Sequence, residues 1–427
     1  MADELAAVVM AAGIGTRMKS ATPKHLHPLL GRPMVDWVVD AARGAGVERI
    51  VVVASPQTSG LLEDVEVAVQ EEPLGTGDAV RSARPPLEDF VGDVFVLNGD
   101  VPALRAETIR ALVEAHREAG AAATVLSFEP ADPGAYGRIV RDGDGRLARI
   151  VEAADASPDE LAVPEVNSGI YVFRADKLWP ALERLDAHNA QGELYITDTL
   201  GLLVADGEVC AVLLAGDPLE AGGVNTRAEL ALAAASLRDR INEEHMLAGV
   251  TIVDPGSTWI ETGVEIEADV VVHPYTVIRG GVRIESGAEI GPFAYVRPVS
   301  VIGEGAKIGT FVEVKNAAVG ASAKIPHLSY IGDAEVGEGT NVAAGNITAN
   351  FKHEQDALKE RTKIGRNVRT GVDTVFDAPV EVGDDAWIAA GSVITDDVPP
   401  GSLAGFAPRQ TTKEGWVYEK HGKPDDG

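Results

Sequence analysis

Two short stretches carry residues whose types and spacing could do chemistry. The first, MAAGIGTRMKSATPKHLHPLLGRPM, sets Ala11, Ala12, Gly13, Gly15, Arg17 and Lys24 directly after an apolar run. Backbone N–H groups of a Gly-rich turn can cradle phosphate oxygens, and an arginine and a lysine add charge. A lone GxG is common in α/β proteins, and no GKS or GKT follows, so the loop is not of the Walker A type. The second stretch, SAKIPHLSYIGD, places His327 between Ile325 and Ile331, with Tyr330 three residues on. Histidine can take or give a proton near neutral pH, its ordinary pKa being ~6.5. A lone histidine at a turn is more often a hydrogen-bonded fixture, so the surrounding residues must decide.

The elements that hold the first stretch alternate between two patterns. LAAVVMAAG, RIVVVAS and DVFVLNGD read as short buried strands, while MVDWVVDAARGAG and AETIRALVEAHREAG have helical spacing. This is an α/β, Rossmann-like arrangement with a mostly parallel sheet over residues 1–225. Ligands in such sheets sit beyond the carboxyl ends of the strands, where MAAG and NGD fall. Residues 226–249 follow as one Ala/Leu-rich linker helix ending at Gly249.

From residue 250 to 427 the pattern changes. Ile260, Ile266, Val272, Ile278, Ile284, Ile290, Val296, Ile302, Ile308 and Val314 recur every six residues. The period resumes at Ile325 and Ile331, and again at Val382, Ile388 and Ile394. Neither a helix nor an ordinary strand explains a strict six; a hexapeptide parallel β-helix does, with three hexads to a coil. Such solenoids resemble the left-handed β-helix. The charged run FKHEQDALKERTK, 351–363, fits no hexad and reads as an extruded loop.

Composition narrows the function. A net charge of −29 argues against a nucleic-acid partner, because phosphate neutralisation needs a basic surface. The single cysteine, Cys210, excludes an intrachain disulfide and a thiolate metal cluster, and reads as buried and inert. The N-terminus lacks a basic region and breaks early at glycine, and no apolar run approaches ~20 residues. The expected setting is therefore cytoplasmic, with no membrane partner.

The spacing GxGTRM, then PK, then GRPM resembles the sugar nucleotidyltransferases. VQEEPLGTGDA, LNGDVP, AYGRI, IVEA, EVNSGIYVF, GELYITD and AGGVNTRAEL follow in order. Together with YVRP, FVEVKN, PHLSY and GTNVAAGNITAN they make nearly the whole chain resemble one bacterial family. Its members are bifunctional N-acetylglucosamine-1-phosphate uridylyltransferases and glucosamine-1-phosphate acetyltransferases.

The resemblance implies Gln70, Gly75 and Thr76 at the uracil, and Gly137, Glu152 and Asn167 at the sugar. It implies Asp100 and Asn225 as ligands of Mg²⁺, which suits two oxygen ligands completed by substrate phosphates. Arg17 and Lys24 would stabilise charge as the oxygen of N-acetylglucosamine 1-phosphate attacks UTP and pyrophosphate leaves. In the second half it implies Arg297, Lys315 and Tyr330 at the phosphate of glucosamine 1-phosphate. Asn341, Ala344, Asn350 and Ala390 would complete the sugar and acetyl-CoA contacts. His327 would be the general base that frees the attacking amine. A homotrimer is expected.

Val372 stands where the family usually has serine, and Ala407 where it usually has arginine, with Arg409 two places later. A uridylyltransferase whose solenoid serves only as scaffold therefore stays open. So does a nucleotidyltransferase for another sugar or base, such as a thymidylyltransferase.

Overall fold

The computed structural model describes residues 4–13, 15–351, 359–405 and 412–421. It divides into two compact units, Met1–Leu237 and Arg238–Gly427.

The first unit is built on one mixed sheet. Its strands run in the order Cys210–Leu214, Ala123–Phe128, Val166–Arg174, Asp93–Asn98, Leu5–Met10, Arg49–Ala54 and Glu66–Val69. The strand Leu5–Met10 shows why its sequence is a continuous apolar run. Ala6, Val8 and Met10 enter one buried cluster, while Ala7 and Val9 enter the other. Both faces of the sheet are covered, so there is no polar face to alternate with. Helices Met34–Gly44 and Ala106–Glu118 bury Val35, Val38, Ile109 and Leu112 on one side. Helices Thr76–Ser82, Ala175–Leu182 and Thr197–Ala205 bury Val80, Leu178 and Leu200 on the other.

The α/β expectation holds, with one feature the periodicity could not show. Val166–Arg174 runs antiparallel to both of its neighbours. Its register shifts between Asn167 and Ile170, where Gly169 has φ 77° and a side chain would meet Asn98. The remaining strands from Asp93–Asn98 to Glu66–Val69 are parallel, so their carboxyl ends share one edge. A long helix, Arg227–Leu247, follows, and Gly249, at φ 100°, stands just beyond its end. The line between the two units falls inside this helix.

The second unit is the parallel β-helix the six-residue period predicts. Val272 pairs with Ile290 and Ile290 with Ile308, each partner eighteen residues on, so three hexads make one coil. The faces form parallel sheets of five, eight and seven strands. Of the fifteen aliphatic residues named above, all are buried except Ile266, in the first coils, which is half-buried.

Nine successive corners carry a residue with positive φ: Gly263, Asp269, Tyr275, Gly281, Gly287, Phe293, Val299, Gly305 and Phe311. Tyr275, Phe293 and Phe311 lie one coil apart and stack, with ring centroids 4.9 and 5.2 Å apart. Glycines 303, 320, 337, 365 and 383 follow the inward residue of one face. There the coils approach so closely that a Cβ would strike the next coil's backbone or proline ring at 2.4 to 2.8 Å.

The apparent lapse after Val314 is a register slip. Val319 and Val336 are buried inward residues reached after steps of five, and the corners step by five at Asn316 and Asp333. The extruded loop is also shorter than the sequence implied. Thr362–Ile364 is a strand paired with Ala334–Val336, because Thr362 and Ile364 restore the inward alternation. Residues 352–358 of the loop, with His353, lie outside the described residues, as do Ala407 and Arg409.

Candidate active sites

At the carboxyl edge of the first sheet, Ala11 to Gly13 follow the strand Leu5–Met10, and Asp100 follows Asp93–Asn98. Gly15 is required twice: its φ is 68°, and a Cβ there would lie 2.4 Å from Cβ of Lys24. The turn therefore closes directly on Lys24. Nζ of Lys24 reaches Oδ2 of Asp100 and donates to Oδ1 of Asn225 at 2.9 Å. Arg17 donates to the same Asn225 oxygen at 2.9 Å. The Asn225 loop is held by Val224 N–H to Asp100 O at 2.8 Å and by Asn225 N–H to Glu229 at 2.7 Å.

Asp100 and Asn225 thus turn two oxygens toward one cation, here the ammonium of Lys24. That convergence is what a Mg²⁺ site with two protein ligands requires. Among the described residues there is no cluster of three or more His, Cys, Asp and Glu fit to cage a metal. Substrate phosphates and water would have to supply the other ligands.

The residues expected at the sugar, Gly137, Glu152 and Asn167, lie together as well. A Cβ on Gly137 would stand 3.4 Å from Oε2 of Glu152, and Asn167 N–H donates to Gly137 O at 2.8 Å. Glu152 accepts from Thr197 at 3.1 Å, and burial pushes its carboxyl above the usual range, helped by Asp198 and Asp155. Asn167 donates to the Tyr171 hydroxyl at 2.7 Å.

Two residues of the AYGRI segment were missed by sequence reasoning. Arg138 is buried and donates to the carbonyls of Pro133, Gly134, Tyr136 and Leu161, pinning the turn before Gly137. The Tyr136 hydroxyl accepts from Gly223 N–H at 3.2 Å, joining that turn to the loop that carries Asn225.

On the far side of the first turn, Gln70 follows the edge strand Glu66–Val69 and is buried. Its amide donates to Gly75 O at 3.1 Å and to Asp78 at 2.9 Å. Gly75 has φ 120° and sits against the Leu194 backbone, while the Thr76 hydroxyl accepts from Ile196 N–H at 3.0 Å. His25 and His27 are buried. Burial lowers the pKa of both.

In the solenoid most of the predicted residues gather on one face and at its two corners. His327 ends the strand Lys324–His327 and is exposed at a corner. Its backbone is fixed from inside: buried Ser329 donates to His327 O at 2.8 Å and accepts from Asn346 N–H at 3.2 Å. Asn346 donates to the carbonyls of Ala343 and Gly371 at 2.8 and 3.0 Å. Coil by coil, the same corner carries Ala344, Val372 and Ala390. Asp373 N–H bonds Ala344 O and Gly391 N–H bonds Val372 O, at 2.9 and 2.8 Å. Asn341 lies on the preceding face, bridged to Lys324.

Tyr330 is three residues from His327, within roughly 10 Å along extended chain. Asn350 donates to its hydroxyl at 3.3 Å. Arg297 donates to Glu313 at 2.8 Å, and Glu313 is paired in register with Tyr330. Lys315 is met by Lys359, which the sequence reading passed over inside the charged loop. The hydrogen bond and charge of Lys315 lower the Lys359 pKa. Two adjacent ammonium groups beside Tyr330 make a local basic spot on an acidic protein, suited to a phosphate.

A nucleotide-transferring α/β unit followed by a hexapeptide-repeat unit is the class these two sites define. Residues 7–142 match the MobA-like NTP transferase domain, and residues 263–298 and 281–316 match the bacterial transferase hexapeptide (six repeats). Similarity to curated proteins runs the length of the chain. A protein of Pelobacter propionicus named Bifunctional protein GlmU is 43% identical over 97% of this chain and 98% of its own. Proteins of the same name from Mycolicibacterium vanbaalenii and Geobacter sulfurreducens are 44% and 43% identical, covering 93% and 99% of their lengths. The chain belongs to the GlmU family of bifunctional proteins.

Proposed function

We propose that this chain makes UDP-N-acetylglucosamine in two steps, one in each unit. The observation that carries this reading is the presence of two separate phosphate-suited sites on a chain that matches bifunctional relatives over 97% of its length. In the second unit the amine of glucosamine 1-phosphate attacks the thioester of acetyl-CoA, and the CoA thiol leaves. His327 is the base that takes the amine's proton as the C–N bond forms. Arg297, Lys315, Tyr330 and Lys359 hold the sugar phosphate. Asn341 and Asn350 orient the sugar, and Ala344 and Ala390 line the path of the acyl donor.

In the first unit an oxygen of N-acetylglucosamine 1-phosphate attacks the α-phosphorus of UTP, and pyrophosphate leaves. Mg²⁺, held by Asp100 and Asn225, would neutralise charge on the phosphates. Lys24 and Arg17 stabilise the charge that develops on the transferred group, and the N–H groups of Ala11 to Gly13 hold phosphate oxygens. Gly137, Glu152 and Asn167 bind the N-acetylated sugar, while Gln70, Gly75 and Thr76 bind the base. The working division is 1–225, 226–249 and 250–427.

No helix of the described residues is long and apolar enough to cross a membrane. We assign the protein to the cytoplasm. We also assign it to a homotrimer, supported by the flat-sided solenoid and its exposed ridge of Tyr275, Phe293 and Phe311.

The test pairs both activities on one preparation. Wild type should consume acetyl-CoA with glucosamine 1-phosphate and release pyrophosphate from UTP with N-acetylglucosamine 1-phosphate. His327→Ala should lose about 10²–10⁴-fold of the first activity and none of the second. Pyrophosphate release without any acetyl transfer by wild type would leave the solenoid as scaffold and end the role of His327.

A further inference from the structure

We propose that Asp78 decides which pyrimidine the first site accepts, by fixing the polarity of the Gln70 amide. The proposal deepens the uridylyl-transfer reading and rests on it. Gln70 is only 6% exposed and lies beyond the carboxyl end of its strand, at the edge where Ala11 to Gly13 and Asp100 also emerge.

A glutamine amide offers two N–H donors on one side and an acceptor oxygen on the other. Here Nε2 is 3.1 Å from the Gly75 carbonyl and 2.9 Å from Oδ2 of Asp78. Both of those atoms are acceptors. Turning the amide over would set Oε1 against a carbonyl oxygen and a carboxylate in a buried place, so the amide cannot turn. Both protons are committed, and Oε1 is the atom left for a ligand.

Asp78 is itself fixed. Its other oxygen accepts from Arg81 at 2.6 Å, and it stands in the first turn of the helix Thr76–Ser82, where the helix dipole favours negative charge. Asp78 touches no substrate in this account; it is a positioning residue.

A locked acceptor selects a ligand that brings a donor. Uracil and thymine carry N–H at N3, whereas the N3 of cytosine is an acceptor. Cytosine would set acceptor against acceptor in a site with little water to intervene, a mismatch that sites of this kind reject strongly. The substrate class is therefore a triphosphate of an imide-bearing pyrimidine, and the ribose and the 5-methyl position must be sorted by other residues.

The experiment compares kcat/KM for UTP, CTP and N3-methyl-UTP in pyrophosphate release, with wild type and Asp78→Asn. The neutral amide of the variant can present either oxygen or N–H₂ to Gln70, so it no longer enforces one orientation. Wild type should prefer UTP to CTP and to N3-methyl-UTP by at least about hundredfold. In Asp78→Asn the UTP-to-CTP ratio should fall by about tenfold or more, the loss of a charge-assisted bond. A merely structural role for Asp78 would lower both substrates and leave the ratio alone, and that result would overturn the proposal. Efficient use of N3-methyl-UTP by wild type would overturn it too, without depending on any variant's folding. Pyrophosphate release from none of the three would instead sink the uridylyl-transfer reading beneath it.

Discussion

Replacing Gly15 by alanine puts a methyl group where Lys24 already stands. The new Cβ would be 2.4 Å from Lys24 Cβ, 3.1 Å from its Cδ and 3.2 Å from its Cγ. Carbon atoms need about 3.5–4.0 Å, so the lysine must retreat by about 1 Å or more. The backbone adds a second cost, since φ at this position is 68° and an L-residue there loses about 1–2 kcal/mol. The consequence for the site follows from what Lys24 holds. Its ammonium joins Asp100 to Asn225, and Arg17 shares the Asn225 oxygen. A displacement of that size at the group proposed to stabilise the transition state should cost about 10²-fold in rate. The assay is UTP-dependent pyrophosphate release by Gly15→Ala beside wild type, with acetyl-CoA consumption on the same samples. The expected result is a loss of about 10²-fold in the first and none in the second. Uridylyl transfer at the wild-type rate would show that Lys24 is not held by this turn, and the account of the phosphate site would fail.

Two further outcomes follow from the geometry. Gly337→Ala would drive a Cβ to 2.4 Å from the Gly365 carbonyl carbon, so adjoining coils must part. Thermal unfolding should show a loss of at least about 1–3 kcal/mol in the second unit, with pyrophosphate release unaffected. Glu152 has its folded pKa raised, chiefly by burial. Between the ordinary 4.5 and that raised value the folded protein keeps a proton the unfolded chain has lost. Stability from this group therefore falls as pH rises through that window. Denaturant titrations of Glu152→Gln across the same window should lack that slope; an identical slope in wild type and variant would refute the assignment.

Much of this molecule was legible in order. The period of six from Ile260 to Val314 points to the solenoid because inward residues must repeat once per face, and only that spacing stacks them. The runs LAAVVM and DVFVLN announce strands buried on both faces. The glycines of MAAGIGT announce a turn that other residues cannot make, since Gly15 needs both its positive φ and its missing Cβ. The reversed direction of Val166–Arg174 was not legible, because strand periodicity is the same in either direction. The slips at Val319 and Val336 were missed because a turn can lose one residue while the inward side chain keeps its place.

By itself, the sequence determined which residues carry charge, which must be buried and which turns need glycine. Those are properties of single residues and of near neighbours. The tertiary structure alone decided which of them meet. Lys24 and Asn225 are 201 residues apart in sequence and share a 2.9 Å hydrogen bond. Lys359, in a charged loop without motif, comes against Lys315, 44 residues earlier in the chain. Asp78 reads as an ordinary helix-start acid until the fold sets it against Gln70 and Arg81. Such pairings depend on how strands order and coils stack, and no local pattern in the chain encodes them.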